Sequence, residues 1–175
     1  DLMFSEPLTR RAEDLLDHAR TAAIMMATAE SCTGGLVAGL LTSIAGASDV
    51  FERGFVTYSN ESKTELLGIP AAIIAAHGAV SAEVARRMAT QCLLKSNADI
   101  AVSITGVAGP GGSAHKPAGL VYFGLAVRDH PVQVVCKRFG DRGRTEVRLV
   151  AVDTALALFE QGIDLIAQIE GRVAD

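Results

Sequence analysis

The segment Ala22–Ile44 passes from one apolar run, through Thr28–Gly35 (Thr-Ala-Glu-Ser-Cys-Thr-Gly-Gly), into a second apolar run, Leu36–Ile44. The first run, over about Ala22–Glu30, reads as a buried strand, and the second, over about Thr33–Ile44, as a helix. A strand delivered into a helix through so short a polar link is the basic unit of an α/β fold. The link also sets two nucleophile types, Ser31 and Cys32, at a helix N-terminus. Unpaired backbone N–H groups there favour an anion. The segment therefore suits either an oxyanion in acyl transfer or a bound phosphate.

The rest of the chain repeats the alternation. Pro7–Arg20 carries Leu8, Ala12, Leu15, Leu16 and Ala19 at helical spacing. Val50–Ser59 reads as a second strand, with Gly54 marking a bulge. Glu61–Leu67 reads as a short helix stopped by Gly68, and Pro70 opens another that ends at Gly78. Ser81 and Glu83 signal a helix start, with the helix running to about Asn97. Ile100–Thr105 is a short buried strand. Gly119–Arg128 and Val132–Phe139 form an antiparallel hairpin around Asp129–Pro131. A last helix begins near Gly143, with Val147, Val150, Ala151, Ala155, Leu158 and Phe159 on one face. The expected architecture is a three-layer α/β/α sandwich on a mixed five-stranded sheet, in one domain over residues 1–175.

Composition excludes several functions. With 49% hydrophobic residues, disorder is ruled out. A net charge of −4 offers no electrostatic footprint for nucleic acid. The apolar runs are broken well short of a membrane span. No basic segment followed by an apolar one opens the chain, so the expected compartment is the cytoplasm. The cysteines Cys32, Cys92 and Cys136 and the four histidines show neither disulfide nor metal-ligand spacing, and no metal or other cofactor is expected. The apolar tail Ile163–Ile169 is a candidate face for a homo-oligomer, although such a stripe more often joins its own core.

Three further segments carry chemistry. Gly106–Gly112 has four glycines in seven residues after a strand, where open α/β sheets bind ligands. It is not a Walker A loop, because Gly112 stands where the lysine belongs. Phe55–Lys63 ends a strand in a polar cluster. Ser59 or Asn60 suits a helix cap there, and Lys63 suits a surface residue or, if buried, a base for Ser31. Tyr58 then serves as a hydroxyl donor or relay. Glu30 reads as a buried structural acid or a partner of Lys63. Cys32 competes with Ser31, since a helix N-terminus lowers a thiol pKa. Arg142, Arg144 and Arg148, at the start of the last helix, suit a phosphate or plain solvent exposure.

Together, Thr28–Gly35, Phe51–Asn60, His77–Ser81, Ser103–Gly109 and Gly140–Arg148 resemble the CinA C-terminal domain family. The resemblance covers about Ala12 to Phe159. It implies a three-layer sandwich with one antiparallel strand and the family's best-known activity, nicotinamide-nucleotide amidohydrolase. That activity converts nicotinamide mononucleotide into nicotinate mononucleotide and ammonia, so the implied partner is a small pyridine nucleotide. By motif match Ser31 takes the nucleophile position and Lys63 that of the base, while Tyr58 and Thr105 line the substrate site. Glu30, Cys32, Thr33, Gly34, Gly35 and Asn60 join the expected substrate-binding set, with Gly106, Gly109, Arg144 and Arg148 near the phosphate. Either Arg142 or Arg144 fits the family's arginine, and Arg144 keeps the spacing to Arg148. The large N-terminal domain of many members is lacking, which points to the stand-alone form. The rival reading is a nucleotide-binding or protein-interaction module linked to DNA competence, and a third is a cysteine hydrolase acting through Cys32.

Overall fold

The computed structural model describes residues 3–173. Helix α1 (Glu6–Thr21) leads to β1 (Met26–Glu30), α2 (Leu36–Thr42), a 3-10 turn (Ala47–Asp49) and β2 (Phe51–Val56). Helices α3 (Asn60–Leu67), α4 (Ala71–His77) and α5 (Ala82–Leu94) follow, then β3 (Ile100–Gly106), β4 (Leu120–Val127), β5 (Gln133–Arg138) and α6 (Arg144–Val173). The sheet order is β2-β1-β3-β4-β5. Strands β1, β2 and β3 are parallel, and β4 runs antiparallel to both β3 and β5. The fold is the expected α/β/α sandwich on a mixed five-stranded sheet, with β4 its one reversed strand.

The two faces of the sheet carry different sizes of side chain. Met26, Ile100, Val102, Ile104, Val121, Phe123 and Leu125 pack against α1, α2 and α6. The opposite face offers Ala27, Ala29, Ala101 and Ala126 to the layer of α3, α4 and α5. Small residues let α5 come close. A Cβ on Gly124 would stand 2.5 Å from the Ala85 carbonyl oxygen. Ser103 Oγ donates to that carbonyl at 2.6 Å and accepts from Gly124 N–H at 3.0 Å, which ties α5 to β3 and β4. On α6 the stripe Val147, Ala151, Ala155, Leu158 and Phe159 is buried as expected, while Val150 is only half-buried. In the tail, Ile163 is fully buried in the chain's own core, whereas Ile169 is exposed.

Several boundaries differ from the sequence reading. Residues 22–24 belong to the end of α1 rather than to β1. Ala22 and Ile24 N–H groups donate to His18 and Ala19 carbonyls, and Ala23 takes a positive φ of 54°. Helix α2 starts at Leu36, three residues later than expected, because Ser31–Gly35 forms a turn. Helix α5 ends at Leu94, short of Asn97. The β2 irregularity falls beside Glu52, since Met26 pairs with Phe51 but Ala27 with Arg53. Gly54 is not the bulge; a Cβ there would meet Thr28 Oγ1 at 2.8 Å and the Ala38 methyl at 3.3 Å. Its role is to let α2 lie close over β1 and β2.

Candidate active site

The carboxyl ends of three parallel strands converge. Ser31 follows β1, Thr57 and Tyr58 follow β2, and Gly106 ends β3. They open on a cleft of about 410 Å³ lined by Ser31, Cys32, Tyr58, Lys63, Thr105 and Arg144, together with Ala79–Val80 and Gly106–Gly111. This is the strand end at which open α/β sheets bind ligands, and the volume suits a small molecule.

Lys63 projects from α3 into this junction and is only 1% exposed. Ser59 caps α3 by accepting from Ser62 N–H, and Gly68 closes it with a positive φ of 68°, so the short helix is held at both ends. Lys63 Nζ stands 3.0 Å from Ser31 Oγ, and it donates to the carbonyls of Thr57 at 2.8 Å and Tyr58 at 3.3 Å. No described carboxylate forms an ion pair with it. Burial holds its pKa below the ordinary lysine value of 10.5. A lysine thus biased toward the neutral amine can take a proton from an adjacent hydroxyl.

Cys32 lies beside Ser31 but in the opposite electrostatic condition. It is 5% exposed and packed in the core under α2, and burial pushes its thiol up to about 11. The expected lowering by a helix N-terminus does not occur. One reason is Glu30, which is fully buried and accepts from Val37 N–H at 2.9 Å and Ala38 N–H at 3.1 Å. The first turn of α2 is therefore already occupied by a carboxylate and is no free anion cradle. Glu30 does not line the cleft, and no hydrogen bond or ion pair joins it to Lys63.

Two arginines expected together are divided between tasks. Arg144 lines the cleft, donating to the Gly109 carbonyl and, through its other terminal nitrogen, to Tyr58 Oη, both at 2.8 Å. Tyr58 is 61% exposed, so this bridge forms the mouth of the cleft rather than its floor. Arg142 turns away to the Phe139 carbonyl and Glu146. Arg148 does not line the cleft; it donates to the carbonyls of Cys32 at 3.0 Å and Thr33 at 3.2 Å. Gly34 and Gly35 take positive φ values of 59° and 97° in that same turn. Thr33 is fully buried behind it.

On the far wall, Thr105 Oγ1 donates to the Ala79 carbonyl at 2.8 Å. Gly106 has no room for a side chain, since a Cβ would lie 2.7 Å from the Val121 side chain. Asn60 is not part of the cleft and lines a separate depression with Glu61, Thr64 and Ile74. Ala79 and Val80 were missing from the expected site, although they sit in the His77–Ser81 motif. Among the described residues, no group of three His, Cys, Asp or Glu side chains is arranged to hold a metal ion. No described helix is long and apolar enough to cross a membrane.

The CinA C-terminal domain matches residues 8–163. The chain belongs to that family. Among relatives, it is 50% identical over 135 residues to the nicotinamide-nucleotide amidohydrolase PncC of Enterobacter agglomerans, covering 75% of this chain and 82% of that protein. It is 51% identical over 122 residues to a putative competence-damage inducible protein of Caldicellulosiruptor bescii, covering 69% of this chain. Of that relative and of a CinA-like protein of Chlorobium chlorochromatii, the match spans only 30% and 31% of the length. Among solved structures, the competence/damage inducible protein CihA of Agrobacterium tumefaciens superposes with a TM-score of 0.89 at 44% identity. That match covers 92% of this chain and 98% of the other. A CinA superfamily protein of Klebsiella pneumoniae superposes with a TM-score of 0.85 at 32% identity.

Proposed function

We propose that this CinA-family domain is an amidohydrolase that deamidates nicotinamide mononucleotide through a Ser–Lys acyl-enzyme. The observation that carries the reading is the 3.0 Å approach of buried Lys63 Nζ to Ser31 Oγ at the wall of the cleft. A relative named as a nicotinamide-nucleotide amidohydrolase supports the choice of substrate.

In this scheme neutral Lys63 takes the Ser31 proton as Oγ attacks the carboxamide carbon. Backbone N–H groups near Cys32–Gly35 hold the developing oxyanion, at roughly 3 kcal/mol per well-placed donor. The tetrahedral intermediate collapses, and Lys63 returns the proton to the departing ammonia. Water then attacks the ester on Ser31 as Lys63 accepts its proton; the C–Oγ bond breaks, Lys63 returns the proton to Ser31 Oγ, and nicotinate mononucleotide leaves. Arg144, at the mouth beside the Gly109 carbonyl, faces the nucleotide's phosphate, while Thr105 and Tyr58 flank the ring and ribose.

The test is incubation with nicotinamide mononucleotide and, separately, with nicotinamide, following ammonia and the acid product with and without a chelator. The proposal expects ammonia from the nucleotide, little from the free base, and no effect of chelation. No release from the nucleotide would favour a binding module, and loss on chelation would overturn the Ser–Lys scheme.

A further inference from the structure

Three successive carbonyls of the link between α4 and α5 are each claimed by one side chain. Ser81 Oγ donates to the Gly78 carbonyl and Thr105 Oγ1 to the Ala79 carbonyl, both at 2.8 Å, while Lys116 Nζ donates to the Val80 carbonyl. Ser81 belongs to the link itself and Thr105 to β3, but Lys116 comes from the loop that joins β3 to β4. Among the described residues, its bond is the only hydrogen bond between that loop and the link. The link lines the cleft through Ala79 and Val80 and the loop through Val107–Gly111, whereas Lys116 itself does not.

The backbone at Lys116 is fixed to the glycine-rich limb of its own loop. Its N–H donates to Ser113 Oγ at 2.9 Å, and its carbonyl accepts from Ser113 N–H at 3.0 Å. The two limbs are in close contact. A Cβ on Gly112 would stand 2.5 Å from the Lys116 carbonyl oxygen, and one on Gly109 would stand 3.3 Å from the Ala118 methyl. The ammonium lies 5.8 Å from the centroid of the Tyr122 ring, and Tyr122 is the β4 partner of Thr105. No described carboxylate forms an ion pair with Lys116. A half-buried lysine whose partners are a carbonyl and an aromatic face is held by geometry rather than by a counter-charge. The length of its side chain therefore sets the distance between loop and link.

We propose that Lys116 is a positioning residue: it fixes the separation of the glycine loop from Ala79–Val80, and so the width of the cleft where the substrate's aromatic ring is held. The inference rests on the reading above that this cleft takes a ring-bearing nucleotide beside Ser31.

The experiment compares wild type, Lys116→Met and Lys116→Arg. Methionine keeps most of the stem and removes the ammonium. One readout is kcat and KM for nicotinamide mononucleotide and for nicotinamide riboside, which has the ring without the phosphate. The other is the rate at which ethyl p-nitrophenyl methylphosphonate and its benzylphosphonate analogue modify Ser31, followed by intact mass. In both probes Ser31 Oγ bonds to phosphorus and p-nitrophenolate leaves, so the ratio of the two rates reads how well the cleft holds the added ring. Lys116→Met should raise KM about 5- to 20-fold for both substrates, with kcat within about twofold. It should lower the benzyl-to-methyl labelling ratio at least about fivefold. Lys116→Arg, which keeps a cationic donor, should fall between, and it carries the comparison if Lys116→Met does not fold. A lowered thermal transition with KM and the labelling ratio unchanged would overturn the inference, leaving Lys116 a lysine of the fold alone. A KM raised for the nucleotide but not the riboside would also overturn it, since Lys116 would then be a phosphate ligand. Loss of the labelling ratio beside a wild type inert toward both substrates would uphold the inference and remove the substrate assignment instead. A wild type showing neither turnover nor labelling would overturn both.

Discussion

Lys63 Nζ and Ser31 Oγ are 3.0 Å apart, and the lysine is almost completely buried with no carboxylate partner among the described residues. A lysine kept for stability at such a position would normally be paired, because an unpaired buried ammonium is costly. This one is surrounded instead by backbone carbonyls and a hydroxyl.

Activity should depend on pH through Lys63. The scheme requires the neutral amine, and burial lowers the pKa from 10.5. Turnover therefore rises with pH and levels off at a midpoint below 10.5. Lys63→Met should reduce kcat by at least about 100-fold and abolish that rise. Stability supplies a second readout. Below the folded pKa, the wild type carries the cost of a buried ammonium, a cost that disappears as pH approaches the unfolded value. Denaturation midpoints should shift in favour of Lys63→Met as pH falls from about 10 to 7.

Cysteine reactivity separates the two nucleophile candidates without any substrate. Cys32 and Cys92 are buried and Cys136 is exposed. Alkylation at neutral pH, mapped by peptide mass, should modify Cys136 first and leave activity unchanged. Rapid modification of Cys32 with matching loss of activity would return the cysteine mechanism to favour.

At the mouth, Arg144 and Tyr58 form a hydrogen-bonded bridge. Tyr58→Phe removes one partly exposed bond and should raise KM only a few-fold, in line with about 1 kcal/mol. Arg144→Ala removes the bond to Gly109 as well and the charge facing the phosphate, so its KM should rise by at least about tenfold. Steady-state kinetics on both variants measures the difference. An equal, negligible effect of the two would remove Arg144 from substrate binding.

Glu30 offers a prediction about stability alone. Its buried carboxylate accepts both the Val37 and Ala38 N–H groups. Glu30→Ala should destabilise the fold by about 2–4 kcal/mol, since it leaves two donors without an acceptor. Chemical denaturation gives the number. Loss of substrate affinity in a variant of unchanged stability would show that Glu30 acts in the cleft after all.

How far the site can be read from residues alone follows from the range of each interaction. The strand–turn–helix around Ser31 and the polar cluster ending in Lys63 are local patterns, and the alternation of elements specifies the sandwich that joins them. The burial of Lys63 is different: no local feature separates it from a surface lysine. The Arg148 grip spans 116 residues and was indistinguishable from any helix-start arginine. Glu30 was read as structural acid or lysine partner because the turn that folds it onto α2 depends on Gly34 and Gly35 taking positive φ. Either Ser59 or Asn60 suits the α3 cap in sequence; Ser59 takes it, and Asn60 lines the neighbouring depression. At residues 22–24, apolar composition suggested a strand, but the end of α1 claims their N–H groups.

The central claim is tested most directly by ammonia release from nicotinamide mononucleotide, measured side by side for wild type, Ser31→Ala and Cys32→Ala. The account predicts steady release by wild type and a loss of several orders of magnitude in Ser31→Ala with its thermal transition unchanged. Cys32→Ala should keep most of the activity. Undiminished release by Ser31→Ala, or loss confined to Cys32→Ala, would contradict it.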